Sequence, residues 1–326
     1  MSRINGNILF LLSAFAIGCT KEINPHFNEI PRHIVIEGNI YNTQGPYYVR
    51  ATWSNSGLLN PAYAGGPDNA DPVLGALIII SDNAGNIDTL KPSPDSITWY
   101  AKIYPNRSGP YDSVLFTVSN RFNGQFGYYQ TTTIMGQVGR IYHLRVIYDN
   151  KEYTADAYMP PVTTIDSVQF RTRYGEKGDP YTTPVMFFAE PQNRRDYYWT
   201  FNFEGNVKND DPNVGFFSNA SPYDLPYSIF NDKFLQPYVS GLYSDRTYSK
   251  DAIHTTLFET YGFVFLGSLT EEHYNFLKTI VDQMQDDGGT YKPTPASPKT
   301  NLSNGALGYF GASALSRYFV FAPDFP

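Results

Sequence analysis

Nucleophiles, acids and metal ligands are the residues through which a chain does chemistry, and here they are widely spread. The five histidines, His26, His33, His143, His254 and His273, form no close pair. A zinc site on a helix needs two ligands on one face, as in His-Glu-x-x-His, and Glu271-Glu272-His273-Tyr274-Asn275 lacks the second histidine. Ser313 sits in Gly-Ala-Ser-Ala-Leu, which lacks the closing glycine of a nucleophile elbow, so it reads as a strand residue. No glycine-rich phosphate loop leads into a helix. SDNAGNID (81–88) and NDDPN (209–213) could each offer carboxylates to calcium, but neither keeps the alternating ligand spacing of a dedicated loop, and both read as turns. Carboxyl pairs that meet only in space would still allow a hydrolase. No catalytic residue, metal or cofactor is expected, and no ligand-binding residue is identified.

One thiol remains. Cys19, the single cysteine, ends the stretch Ala16-Ile17-Gly18-Cys19. A thiol is the most nucleophilic common side chain, so an enzyme can alkylate it with diacylglycerol, and small Gly18 gives a peptidase access to the bond before it. Arg3 puts a positive charge ahead of the apolar run ILFLLSAFAI (8–17). That run is too short for a membrane span of about 20 residues and suits a signal-peptide core. The pattern is similar to the bacterial lipoprotein signal, with Ala16 where Leu is usual. A lone cysteine also excludes a disulfide framework. Residues 1–18 are therefore expected to be removed, and Cys19 to carry acyl chains, two or more of which anchor stably. Residues 19–32 are polar, carry Pro25 and Pro31, and form a tether reaching about 40 Å when extended.

The body must then be built from strands. The 326 residues include 27 Tyr and 23 Phe, and only 17% are charged. That is too aromatic for a disordered chain and fits many short strands joined by turns. The net charge of −7, with no basic run, sets nucleic-acid binding aside. Alternation places Ile34, Ile36 and Ile40 on one strand face, and Val49, Ala51 and Trp53 on another. Residues 75–90 read as strand, turn, strand. Residues 139–161 read as a hairpin turning at Asp149-Asn150, with Tyr142, Leu144, Val146 and Tyr148 on one face. The Gly139-x-x-Tyr142-x-Leu144-x-Val146 pattern is similar to the penultimate strand of immunoglobulin-like sandwiches, where a Tyr fixes a corner. The other reading is one more Tyr-bearing strand.

Pro160-Pro161 ends that unit. The expected organisation is an immunoglobulin- or fibronectin-like sandwich of about seven strands at 33–162. A second β-rich domain then spans 163–326, with one helix near 269–286; a single domain with a shared core is the alternative. In the second half, 196–207 is the strongest strand, with Tyr197, Trp199, Phe201 and Phe203 on one face. Ser268 stands three residues before Glu271, a capping-box spacing, and Thr270 competes as the cap. Tyr274, Leu277, Ile280, Val281 and Met284 recur at helical spacing. Among the aromatics, Tyr128-Tyr129-Gln130 and the Tyr-rich 223–248 loop are the candidate exposed positions.

Taken in order, the Gly-Cys and tether, IVIEGNI, GALIIISDNAGN, the 136–168 stretch and NLSNGALGYFGASA resemble the Bacteroidota lipoproteins grouped as domain of unknown function 4249. The resemblance implies an envelope lipoprotein encoded beside TonB-dependent outer-membrane receptors. It further implies a non-enzymatic accessory in nutrient uptake that binds substrate, caps the receptor or stabilises it. It carries over one site residue, Cys19. Some such lipoproteins bear an acidic export signal after the cysteine, of which Lys21-Glu22 is a weak version. The expected location is the outer membrane, with the cell surface favoured over the periplasmic face. An envelope glycan or peptide hydrolase and a surface adhesion module are the alternatives. Cys19→Ala is predicted to leave the protein unlipidated and released from membranes on fractionation; membrane retention of that variant would contradict it.

Overall fold

The computed structural model describes residues 31–54, 70–103, 112–120, 122–174, 178, 180–205, 228–243, 248–249, 261–285 and 298–321. The protein is mainly β. The first half contributes β1 (Ile34–Tyr41), β2 (Tyr48–Trp53), β3 (Leu77–Asp82), β4 (Ile87–Thr89), β5 (Lys91–Pro92), β6 (Ser96–Ile103), β7 (Asp112–Ser119), β8 (Tyr128–Gln130), β9 (Ile141–Tyr148) and β10 (Lys151–Tyr158). The second contributes β11 (Ile165–Tyr174), β12 (Pro180–Ala189), β13 (Tyr197–Gly205), β14 (Ser228–Asn231), β15 (Tyr238–Tyr243), β16 (Tyr248–Ser249), β17 (Tyr261–Leu269), helix α1 (Glu271–Gln285), β18 (Leu307–Ser313) and β19 (Leu315–Phe321). Among the described residues, no helix is long and apolar enough to cross a membrane.

Two sheets build the first core. One runs β18-β1-β2-β8-β5 and the other β10-β9-β3-β4. Ile36, Ile40 and Ala51 from the first meet Ile78, Ile80, Leu144 and Val146 from the second, as their alternation predicts. The hairpin of β9 and β10 turns at Asp149 and Asn150, whose φ values of 49° and 58° suit the tight primed turns that Asn and Asp tolerate. Tyr142 does form a corner. Its hydroxyl accepts from the Gln137 amide at 2.6 Å and lies 3.4 Å from the Met135 and Gln137 carbonyls, upstream in the chain.

The second core lies between β11-β12-β15, with β16 also on β12, and β14-β13-β17-β19. Met186, Phe188, Tyr198, Val264 and Leu266 fill it. Along β13 the core-facing residues are Tyr198 and Thr200, rather than the more aromatic set. The opposite face is covered too. Tyr197 packs on Tyr274 of α1 at 5.1 Å between ring centres, and Trp199 lies 6.3 Å from Tyr41 of β1.

Val162 touches both cores, close to where the proline pair suggests a boundary. The expected split at 162/163 would nevertheless leave 298–314 in the second unit, and the structure places that segment in the first. β18 pairs parallel to β1, and Leu302, Ala306, Phe310, Ala312 and Ala314 complete the first core. Residues 301–304 also cover the edge of β10. Ser303 receives the Thr154 amide on its Oγ at 2.7 Å and returns its own amide to the Thr154 carbonyl at 2.9 Å. Asn301 Nδ2 donates to the Asp156 carbonyl at 3.0 Å. An edge that would otherwise expose its amides is thereby satisfied.

Helix α1 begins at the competing cap. The Thr270 hydroxyl accepts from the His273 amide at 3.2 Å, in the N-cap geometry. Ser268 belongs to β17 and joins strands instead: its hydroxyl donates to the Pro160 carbonyl at 2.8 Å and accepts from the Ala314 amide at 3.0 Å. If β18 is integral to the first core, Phe310→Ala, which empties a fully buried site, costs about 3–5 kcal/mol. A urea unfolding midpoint like that of the wild type would show the strand to be peripheral.

Candidate functional site

Cys19, His26, His254 and Asn209–Asn213 lie outside the described residues. The structure keeps the other histidines apart. His33 Nδ1 is 3.0 Å from the Gly305 carbonyl, and His143 pairs with Asp156 at 2.6 Å on an exposed sheet face. His273 is buried and stacks on Tyr309, and burial lowers its pKa to about 3. Among the described residues, no three His, Cys, Asp or Glu side chains gather as metal ligands. Ser313, the last residue of β18, is fully buried.

The carboxylates of residues 81–88 are already occupied. Asp82 is desolvated, which raises its pKa. Hydrogen bonds from the Asn86 side chain and amide, from Arg140 and from the Ala84 amide outweigh that and bring it down to about 2. Asp88 is likewise buried. It accepts the Thr132, Thr133 and Ile134 amides at 2.7, 2.7 and 3.0 Å, and the Thr132 hydroxyl at 2.6 Å. Burial pushes its pKa up, and these donors more than reverse the push. Both carboxylates anchor turns through these donors.

A further carboxyl cluster has no forewarning in any motif. Glu190 directly follows β12 and is held by its amide donating to the Pro237 carbonyl at 2.9 Å. Asp196 directly precedes β13, and its amide donates to Asp232 at 2.7 Å. Between them stands Tyr198, whose hydroxyl lies 2.9 and 3.2 Å from the two Glu190 oxygens and 3.2 Å from Asp196 Oδ2. Arg194 Nε meets both Asp196 oxygens, at 2.7 and 2.9 Å. Burial lifts the Glu190 pKa; the Tyr198 hydrogen bond opposes this, Asp196 and Asp232 reinforce it, and the result is about 7. The Tyr198 phenol is raised by burial and by the two carboxylates. Chemically this is an acid held beside an ionised partner. A sequence signal exists only in hindsight: Asp196 heads a strand whose second Tyr faces the core.

The aromatic candidates divide. Tyr128 and Tyr129 are buried, contrary to the exposed placement expected of them. Tyr128 lies under Arg50, with the guanidinium 5.0 Å from its ring centre, and packs with Phe122 and Tyr48. Tyr129 donates to the Val73 carbonyl at 2.9 Å and accepts the Ala76 amide at 3.0 Å. Short β8 is covered on both faces, so alternation could not mark an outer one. In the 223–248 stretch, Tyr238, Tyr243 and Phe234 are exposed, Phe234 at 82%. A second aromatic feature is the ribbon of β6 and β7, which no third strand joins among the described residues. Its register sets Ile97 opposite Val118, Trp99 opposite Phe116, and Ala101 opposite Val114. Directly opposed residues share a face, so these six fall together.

The family model described as Domain of unknown function (DUF4249) matches residues 20–318. No curated protein and no solved structure matches the chain.

The buried Asp88 carboxylate makes a prediction independent of function. Asp88→Ala strands three amides and is expected to cost about 3 kcal/mol or more. A carboxylate of lowered pKa contributes stability above its ordinary pKa and loses it as the pH falls. The wild type should therefore lose stability below about pH 4, and the variant should lose less over the same range. Parallel acid unfolding curves would refute the anchoring role.

Proposed function

Because the chain belongs to the family of domain of unknown function 4249, we propose that it is a non-enzymatic, lipid-anchored outer-membrane protein, an accessory of a TonB-dependent receptor. It binds the receptor's substrate, caps the receptor or stabilises it. The anchor is Cys19 with its signal-like leader. The observation that carries the partner-binding part is the β6–β7 ribbon. An isolated two-stranded hairpin is at best marginally stable in water. The ribbon's register sets Ile97, Trp99 and Ala101 opposite Val118, Phe116 and Val114, with Ile103 opposite Asp112 at the end of that set; the alternate set pairs Tyr100 with Leu115 among Ser96, Thr98, Lys102, Ser113 and Thr117. A ribbon this rich in apolar and aromatic positions suits docking against another protein, because aromatic residues are enriched at protein interfaces.

The hydrolase alternative finds less support. Paired carboxyls that cleave glycosides leave a gap of about 5–9 Å for substrate or water. Between Glu190 and Asp196 that space holds the Tyr198 hydroxyl.

The test is an affinity pull-down of the C-terminally tagged full chain from gently solubilised outer membranes, read by mass spectrometry. Stoichiometric recovery of a TonB-dependent receptor is expected, with recovery reduced at least tenfold by the double substitution Trp99→Ser and Phe116→Ser. Recovery of the chain alone from well-solubilised membranes would overturn the proposal.

A further inference from the structure

The cluster at the end of the second core poses a proton-counting problem. A phenol carries one proton and can donate one hydrogen bond. The Tyr198 hydroxyl stands against oxygens of two different carboxyl groups, Glu190 at 2.9 Å and Asp196 at 3.2 Å. The three residues are 0%, 4% and 7% exposed for Tyr198, Glu190 and Asp196, so water cannot screen an oxygen pair that lacks a proton. The charge of Asp196 is answered by Arg194, which grips both of its oxygens. Among the described residues, no cation pairs with Glu190. The missing proton therefore belongs on Glu190.

We propose that Glu190, Tyr198 and Asp196 form a proton-operated latch, in which protonated Glu190 donates to Tyr198, Tyr198 donates to ionised Asp196, and loss of the Glu190 proton loosens that corner of the second core. The groups facing Glu190 are Tyr198 and Asp196 at the head of β13, Arg194 in the turn before it, and Asp232 in the turn after β14. When Glu190 ionises, its charge faces Asp196 and Asp232 with only Arg194 to offset them. Three pieces of backbone meet there. Glu190 is tied to Pro237 ahead of β15, and Asp196 and Asp232 exchange hydrogen bonds, the Asp232 amide donating to the Asp196 carbonyl at 3.1 Å. Repulsion at this point acts on all three, and on the turn that carries exposed Phe234.

The direction of the pH effect follows. Glu190 holds its proton more tightly folded than unfolded, with a folded pKa near 7. Its contribution to stability is full below about pH 4.5 and is lost as the pH rises through 7. This is opposite in sign to the effect of Asp88, so the two separate on the pH axis.

The experiment uses the intact chain labelled with ¹³C at the Glu side-chain carboxyl. One Glu resonance is expected to titrate near pH 7 and to vanish in Glu190→Gln. In parallel the wild-type Tm should fall by about 3–6 °C between pH 5 and pH 8, against under about 1 °C for Glu190→Gln. Should that variant not fold, Tyr198→Phe provides the assignment, because it moves that one midpoint and no other. The latch is overturned if every Glu carboxyl titrates below about pH 5.5, or if the late-titrating resonance persists unchanged in the variant.

Discussion

β1 and β18 run parallel from Val35 opposite Leu307 to Tyr41 opposite Ser313, and the first core is incomplete without that pairing. The ladder continues past its last strand pair. The Asn42 side chain imitates a strand residue, accepting the Leu315 amide at 2.6 Å and donating to the Leu315 carbonyl at 3.3 Å. Ser268 then fastens the same corner to β17 and to Pro160. A contact between residues some 270 positions apart is costly in loop entropy, although that cost grows only slowly with length. It has to be repaid by packing, and Phe310, Ala312 and Ala314 supply it. Contacts of this separation also slow folding. The first sandwich can therefore close only after almost the entire chain is available.

This dependence explains which parts of the fold were legible in the sequence. The β9–β10 hairpin, its turn and the Tyr142 corner are local, and alternation together with Asp149-Asn150 suffices to place them. The helix is legible from its spacing, and Thr270 is the cap because the Ser268 hydroxyl, inside β17, is taken by Pro160 and Ala314. By contrast, nothing in residues 298–314 says which sheet they join. Phe310, Ala312 and Ala314 recur at strand spacing, which marks a strand but names no partner, and the structure buries both faces from Tyr309 to Ser313. The boundary at 162 is visible from the prolines, yet the return across it is not.

The candidate sites were less legible for a related reason. Tyr128 and Tyr129 look like recognition residues because period-two reasoning assumes that one face is wet. Arg50 and Phe122 cover the outer face of β8, so that assumption fails. Glu190 and Asp196 were invisible as a pair because each lies just outside a strand. Only the packing of the β11-β12-β15 sheet against the β14-β13-β17-β19 sheet brings them to one hydroxyl. Asp82 and Asp88 lie in a stretch whose sequence reads as a turn, and their donors show why such residues are acidic: a carboxylate can satisfy several amides at once where a backbone carbonyl could not.

The α-helix of the described residues packs on the outer face of β18. In the β18-β1-β2-β8-β5 sheet the β18–β1 pair is parallel and the other pairs are antiparallel. On β18 the residues pointing away from the first core are Tyr309, Gly311 and Ser313. Helix α1 lies over them. His273 stacks on Tyr309 with ring centres 4.6 Å apart, and Phe276 meets the same ring at 4.8 Å. Gly311 makes the approach possible, since a β-carbon there would sit 2.4 Å from His273 Cε1 and 2.5 Å from Asn39 Oδ1. The imidazole stays neutral under this burial. The helix is thus a lid on the outer face of β18. Because α1 follows β17 without a break, the second unit's sheet sets where that lid sits. Ser268 and α1 thus each tie β17 to the end and outer face of β18, the strand that closes the first sandwich.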